Sequence, residues 1–371
     1  MQVSADDIER IKADCQKGNL PLIEEFEYKK DVDGPELKIE LKSTTQVRDY
    51  QEQSLAKMFS HGRARSGIIV LPCGAGKTLT GITAASYIKR SVLVLCNSNV
   101  SVEQWRQQFY QWADMQRSPV LAFTSKGSVD VWKPDEAGVL VSTYYMMSYS
   151  QERRAEMQRR MDAIYDIDWG LMILDEVQMV PANQFRLVTS RIKSRCKLGL
   201  TATLVREDDR IIELNYLIGP KLYEANWLDL TRQGYLANVQ CIEVWCEMTP
   251  DFYKEYLARS RNQKMMYYVC NPNKLIACDY LIQLHEARGD KIIVFADSVF
   301  AQEYLAKALK RPFINGSTNQ LERMNILQYF QKYDTINTIF VSKIGDTSID
   351  LPSANVVIQI SSHFASRKQE A

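Results

Sequence analysis

The stretch that most constrains this chain is Gly67-Ile68-Ile69-Val70 followed by Leu71-Pro72-Cys73-Gly74-Ala75-Gly76-Lys77-Thr78. The first four residues read as a buried strand. From Leu79 to Arg90, the residues Leu79, Ile82, Ala85 and Ile88 fall on one helical face. Strand, glycine-rich turn and helix in this order form the setting of a phosphate-binding loop. Gly74 and Gly76 let the backbone take positive φ and approach a ligand with no Cβ in the way. Backbone N–H groups then face one concavity at the positive end of a helix dipole. Lys77 is placed to reach the β- and γ-phosphates, and the Thr78 hydroxyl to ligate Mg²⁺. The full pattern has a further glycine where this chain has Leu71, so a plain glycine turn with a surface lysine stays open.

The 371 residues leave room for about two domains. No stretch approaches the ~18 uninterrupted apolar residues of a membrane span, and Met1 to Lys17 lacks the apolar core of a signal peptide. The eight cysteines are scattered, Cys241 and Cys246 are too far apart for a zinc pair, and there are three histidines. These features point to reduced thiols in an intracellular protein. The net charge of +1 excludes a generally basic, histone-like protein. It leaves room for a local basic groove along which a nucleic-acid backbone is held and released.

Residues 1–44 read as a charged lead-in, with a short helix at Ala5 to Cys15 and a turn at Asp31 to Pro35. Arg48 and Gln51 open an amphipathic helix through Leu55, Met58 and Phe59. The Gln51 amide offers a donor and an acceptor to an adenine edge, and an ordinary helix start is the alternative. Ser91 to Cys96, Leu121 to Lys126 and Val139 to Tyr144 read as strands. Each carries small polar residues at its end: Asn97 and Ser98, Thr124 and Ser125, and Thr143. Such groups hydrogen-bond nucleic-acid phosphates, and they serve equally as helix caps. Gln151 to Arg160 reads as a solvated helix face.

Leu171-Met172-Ile173-Leu174-Asp175-Glu176-Val177-Gln178 is a buried strand ending in two carboxylates. Unpaired buried charge is expensive, and a bound Mg²⁺ accounts for both acids. Asp175 is the candidate metal ligand, and Glu176 the candidate group that orients and deprotonates an attacking water. Lys197 to Thr203 repeats the design, with Thr201 and Thr203 flanking Ala202 and suited to relay the state of a γ-phosphate. Arg206-Glu207-Asp208-Asp209 then forms a charged loop. A second series of elements follows. Val239 to Trp245 alternates like a strand, and Asp251 to Val269 reads as a helical segment. That segment interleaves tyrosines with Arg259, Arg261 and Lys264, a mix suited to gripping single strands or, as readily, an amphipathic helix with snorkelling cations. Strands are expected at Lys291 to Asp297, Pro312 to Asn315, Thr338 to Ser342 and Val356 to Ile360.

In order, Arg48 and Gln51, Gly74 to Thr78, Asp175 to Gln178, Thr201 to Thr203, and Gly345-Asp346 with Asp350-Leu351-Pro352 resemble the motifs of superfamily 2 helicases. Longer runs narrow the likeness: Leu71 to Lys77, Trp169 to Val177, Lys197 to Asp209 and Ile218 to Trp227. On these the chain resembles the XPB/Rad25-type DNA helicases from about Leu20 to its C-terminus. The resemblance implies an α/β fold with two RecA-like domains, parallel sheets flanked by helices, at 45–228 and 229–371, with a thumb-like insertion at about 249–272. It implies ATP and Mg²⁺ as cofactors. Catalysis would fall to Lys77, Asp175 and Glu176. ATP would be held by Arg48, Gln51, Leu71 to Thr78, Gly345, Asp346 and Asp350. Coupling would run through Gln178, Thr201, Ala202 and Thr203, and DNA contact would include Arg206, Glu207 and Asp208. The implied activity is ATP-driven 3′→5′ DNA translocation in promoter opening and nucleotide excision repair, in the nucleus, with duplex DNA and other TFIIH-type subunits as partners. A catalytically weak ATP-binding scaffold and an RNA helicase are the alternatives.

The family has histidine at the position of Gln178. Its last motif, which carries an arginine finger worth about 10³–10⁵ in rate, begins where this chain reads Ser366 to Ala371. Phe364-Ala365 stand where relatives have paired glycines, and the family's N-terminal damage-recognition region has no counterpart. The expectation is a fragment or a diverged paralogue, truncated in its second domain and weak as an ATPase alone.

Overall fold

A computed structural model describes residues 11, 14–15, 18, 23–30, 34–124, 130–133, 135–149, 155–180, 182–203, 211–296, 298–342 and 351–361. Most of the Ala5 to Cys15 helix expectation lies outside them. Backbone contacts divide the chain into two units, Met1–Asn238 and Val239–Glu370.

The first unit is built on seven strands: β1 (Gly67–Val70), β2 (Val92–Cys96), β3 (Val120–Phe123), β4 (Val139–Thr143), β5 (Leu171–Asp175), β6 (Lys197–Thr201) and β7 (Lys221–Glu224). They pair in the order β7-β1-β6-β5-β2-β4-β3, and every pair is parallel. All residues of β1, β2, β4 and β6 are buried, as a parallel sheet covered on both faces requires. Alternate residues serve opposite faces. Ile69, Val94, Val141, Ile173 and Leu200 join one core, and Ile68, Leu93, Leu140 and Met172 the other. The first core is closed by α1 (Asp49–Met58), α2 (Lys77–Ile88) and α3 (Asn99–Trp112). The second is closed by helices that include Ala155–Tyr165 and Ala182–Arg191. Thus β1, β6 and β5 lie side by side, and the phosphate loop, Thr201 and Asp175 leave their carboxyl ends together. Parallel α/β sheets place ligands there. The Leu71 N–H donates to Thr201 O at 2.9 Å and carries the pairing into the loop.

The second unit holds a smaller parallel sheet of β8 (Ile292–Phe295), β9 (Phe313–Ile314), β10 (Thr338–Val341) and β11 (Val356–Gln359), ordered β9-β10-β8-β11. The expected α/β class, with parallel sheets and flanking helices, is therefore borne out in both units. Two expectations are corrected. Val239 to Trp245 forms no strand: Ile242 and Trp245 are 78% and 85% exposed, and no ladder among the described residues pairs with the segment. Alternation gives a strand its faces but not its partner. Asp251 to Val269 is two helices, Pro250–Leu257 and Arg261–Val269, because Ser260 caps the second in a box with Gln263. No helix among the described residues is long and apolar enough to cross a membrane.

Gly219 precedes β7 at φ 137°, and a Cβ there would lie 2.4 Å from the Ser66 carbonyl oxygen, a backbone atom that cannot yield. Gly219→Ala is expected to lose about 2–3 kcal/mol of stability in urea denaturation. An unchanged midpoint would contradict this packing.

Candidate active site

The phosphate loop is gripped from α1. Gly74 and Gly76 take φ of 77° and 79°, the freedom for which glycine was expected. Gln51 Nε2 donates to Ala75 O at 3.1 Å and Gly76 O at 3.2 Å, and Gln51 Oε1 accepts from the Arg48 N–H at 2.9 Å. Tyr50 OH also donates to Ala75 O, at 2.8 Å. A Cβ at Gly76 would come within 2.4 Å of Gln51 Nε2, so the second glycine gives the amide its seat. The Gln51 amide thus holds two carbonyls of the loop. Arg48 lies over the Tyr235 ring at 5.0 Å, and Tyr235 meets Tyr50 edge to face. Leu71 and Ala75 are fully buried, Pro72 and Thr78 are half-buried, and Cys73 is exposed.

The carboxylates sit at the end of β5. Trp105 Nε1–H donates to Asp175 Oδ2 at 2.9 Å, and Tyr144 OH donates to Asp175 O, also at 2.9 Å. Glu176 takes a left-handed φ of 49°, a strained conformation for a non-glycine residue. Its carboxylate meets Lys77 Nζ at 3.5 Å and accepts from Gln178 Nε2 at 2.7 Å. The Thr201 hydroxyl reaches Gln178 Oε1 at 2.5 Å and Thr203 O at 2.6 Å. With one proton, it can donate to only one of them at a time. Lys77, Glu176, Gln178, Thr201 and Thr203 thus form one chain of contacts from the loop to the end of β6. Ala202 lies within it, half-buried.

Burial pushes the Asp175 carboxyl from its ordinary 3.8 up to about 6, and the Glu176 charge adds to the rise. The Trp105 hydrogen bond and Lys77 oppose it. Behind Asp175, burial and the same carboxylate raise Cys96 and Tyr144. Asp175 and Thr78 supply hard oxygen donors, the set Mg²⁺ takes. A buried acid beside a like charge, faced by a single lysine, is one that a divalent cation would discharge, so the residues present fit the metal.

The other expected residues divide. Ser98 caps α3, its Oγ accepting from the Ser101 N–H at 3.2 Å. Thr143 caps the helix Tyr144–Ser148 in the same way through the Met146 N–H. Asn97 is exposed and Thr124 half-buried. Arg259, Arg261 and Lys264 all belong to the second unit. There Arg259 pairs with Glu255 at 2.6 Å and lies over Tyr267, and Lys264 lies over Tyr256. Ser125, Arg206, Glu207, Asp208, Gly345, Asp346 and Asp350 lie outside the described residues. Sequence reasoning missed Tyr50, Tyr235, Trp105 and Tyr144. Only Tyr50, beside Gln51, carried a local signal.

The raised Asp175 pKa fixes a sign. Between pH 4 and 6 the folded state binds the proton more tightly than the unfolded state. This group's penalty is therefore absent at low pH and complete above about 6. Without metal, Asp175→Asn is expected to be more stable than wild type by about 1–3 kcal/mol at neutral pH, a gain that shrinks as pH falls towards 4. Denaturation at several pH values reads it, and equal stability throughout would contradict the buried charge.

Residues 230–371 match the family ERCC3/RAD25/XPB C-terminal helicase, and residues 44–206 match Type III restriction enzyme, res subunit. The chain is 56% identical, over all of its length, to the General transcription and DNA repair factor IIH helicase/translocase subunit XPB/SSL2 of Saccharomyces cerevisiae, of which it covers 44%. It is 54% identical over its whole length to the corresponding subunit XPB of Dictyostelium discoideum, covering 46%. The chain thus spans about half the length of the curated relatives it matches. Among solved structures, S. cerevisiae Dbp5 bound to RNA and ADP BeF3 aligns with 86% of this chain and 75% of its own, at 16% identity and a TM-score of 0.57, a likeness of fold. With more than half of its residues identical to these subunits over its whole length, the chain is a relative of the XPB/SSL2 helicase/translocase subunits, and its residues 230–371 belong to the ERCC3/RAD25/XPB C-terminal helicase family.

Proposed function

We propose that this chain is the ATP-hydrolysing motor of a DNA translocase. The observation that carries the reading is the contact chain from Lys77 through Glu176 and Gln178 to Thr201 and Thr203. It joins a phosphate-binding loop to a strand end that can signal onward. Lys77 holds the β- and γ-phosphates, and Thr78 and Asp175 hold Mg²⁺. When bound, the metal neutralises charge on the phosphoryl oxygens. Phosphate charge draws Lys77 away from Glu176, which then accepts the proton of the attacking water. Water adds to the γ-phosphorus as its bond to the β-phosphate oxygen breaks, and ADP leaves. Freed of Lys77, Glu176 changes its hold on Gln178, and the single Thr201 proton moves between Gln178 and Thr203. Glutamine serves this relay as donor and acceptor without ionising.

Duplex DNA as the track, 3′→5′ polarity, a role in promoter opening and excision repair, assembly with other subunits of such a factor, and a nuclear location belong to the same proposal. Their support is family membership and the relatives' names as subunits of a general transcription and DNA repair factor.

Steady-state hydrolysis with and without duplex DNA, in the protein that carries this chain, tests the mechanism. Lys77→Ala and Glu176→Gln are each expected to lower turnover at least about 100-fold. Wild-type turnover in Glu176→Gln would sink it. Gln178→Ala is expected to keep nucleotide binding and lose the stimulation by DNA. Full stimulation in that variant would remove the relay.

A further inference from the structure

Two aromatic side chains reach Asp175 from opposite faces of the sheet. Trp105 belongs to the core beneath α3, and Tyr144 to the core on the other side. Each follows a strand-end hydroxyl. Ser98 caps the helix that carries Trp105, and Thr143 directly precedes Tyr144. The strands involved are neighbours, since β5 pairs with β2 and β2 with β4. Trp105 is held rigidly. It is 2% exposed, packs against Phe109 at 6.2 Å, and lies so close to α2 that a Cβ on Gly81 would sit 2.9 Å from its Cη2. Its indole N–H is therefore aimed by the helix that follows Asn97 and Ser98, and by the helix that carries Lys77. A donor fixed in this way orients a ligating carboxylate, as partners behind a metal's own ligands do in general.

We infer that Trp105 and Tyr144 are positioning residues that tie the metal-holding carboxylate of Asp175 to the strand ends at Ser98 and Thr143, so that a polynucleotide lying on those ends sets how Asp175 faces its cation. This rests on the nucleotide reading above and adds a route by which the track reports to the metal. Trp105 fixes the carboxylate through Oδ2, and Tyr144 fixes the turn after β5 through the backbone carbonyl. A shift of α3 at its capped end moves the indole, and the indole moves Asp175.

Trp105→Phe keeps a ring over Gly81 and removes the donor. Mn²⁺ affinity, read by electron paramagnetic resonance with a non-hydrolysable ATP analogue present, is expected to fall about 10–100-fold in this variant. Tyr144→Phe should weaken it in the same direction and less. Trp112→Phe, on the same helix, should leave it unchanged. In ¹⁵N-tryptophan protein, the Trp105 indole resonance should shift when Mg²⁺ and the analogue are added, and again with duplex DNA. Unaltered Mn²⁺ affinity in Trp105→Phe and Tyr144→Phe overturns the inference, as does an equal loss in Trp112→Phe. So does an indole resonance that ignores DNA while DNA still stimulates hydrolysis; that result leaves the nucleotide reading standing. A wild-type protein that binds neither analogue nor Mn²⁺ overturns both.

Discussion

A carboxylate held inside the end of an apolar strand is the constraint around which this unit is arranged. Desolvation disfavours the charge of Asp175, and the neighbouring charge of Glu176 makes it worse. The protein answers with directed groups rather than with solvent: an indole N–H on the side chain, a tyrosine hydroxyl on the carbonyl, and a lysine drawn in by the adjacent acid. The balance is incomplete, which is why the carboxyl remains raised towards 6. Such incompleteness is typical of sites built for a ligand that brings the missing charge.

The order of the sheet turns this local problem into a site. With β1, β6 and β5 adjacent, the phosphate loop, the Thr201 hydroxyl and the paired acids leave the sheet at one place. The left-handed turn at Glu176 lets the carboxylate just past β5 face a lysine at the head of α2. Gln178 then bridges back to β6. Two of these links cross between elements, Lys77 at the head of α2 to Glu176 and Gln178 to Thr201 on β6, so a change at the loop has a path to the end of β6 that needs no large motion.

Much of this was legible in the sequence. The buried strands announce themselves as apolar runs, and Gly74 and Gly76 as residues that take positive φ in a loop without strain. Asp175 and Glu176 stood out because acids at the end of such a run need a reason. Trp105 and Tyr144 were not legible, since their roles depend on β5 lying beside β2 and on which face each aromatic takes. Gln51 stood out for its two-sided amide, but the loop carbonyls it meets are partners whose direction no spacing encodes. The alternation of Val239 to Trp245 misled for a related reason: a pattern of side chains does not contain the ladder that makes a strand.

The central claim is that Lys77, Thr78, Asp175 and Glu176 form one site for a nucleotide and a divalent cation. Titration calorimetry of this chain with ATP-γ-S, with and without Mg²⁺, tests it most directly. The account predicts one nucleotide per chain, with affinity that rises when Mg²⁺ is present and a metal-dependent gain that disappears in Asp175→Ala. Binding that ignores Mg²⁺, or a gain that survives Asp175→Ala, would contradict it.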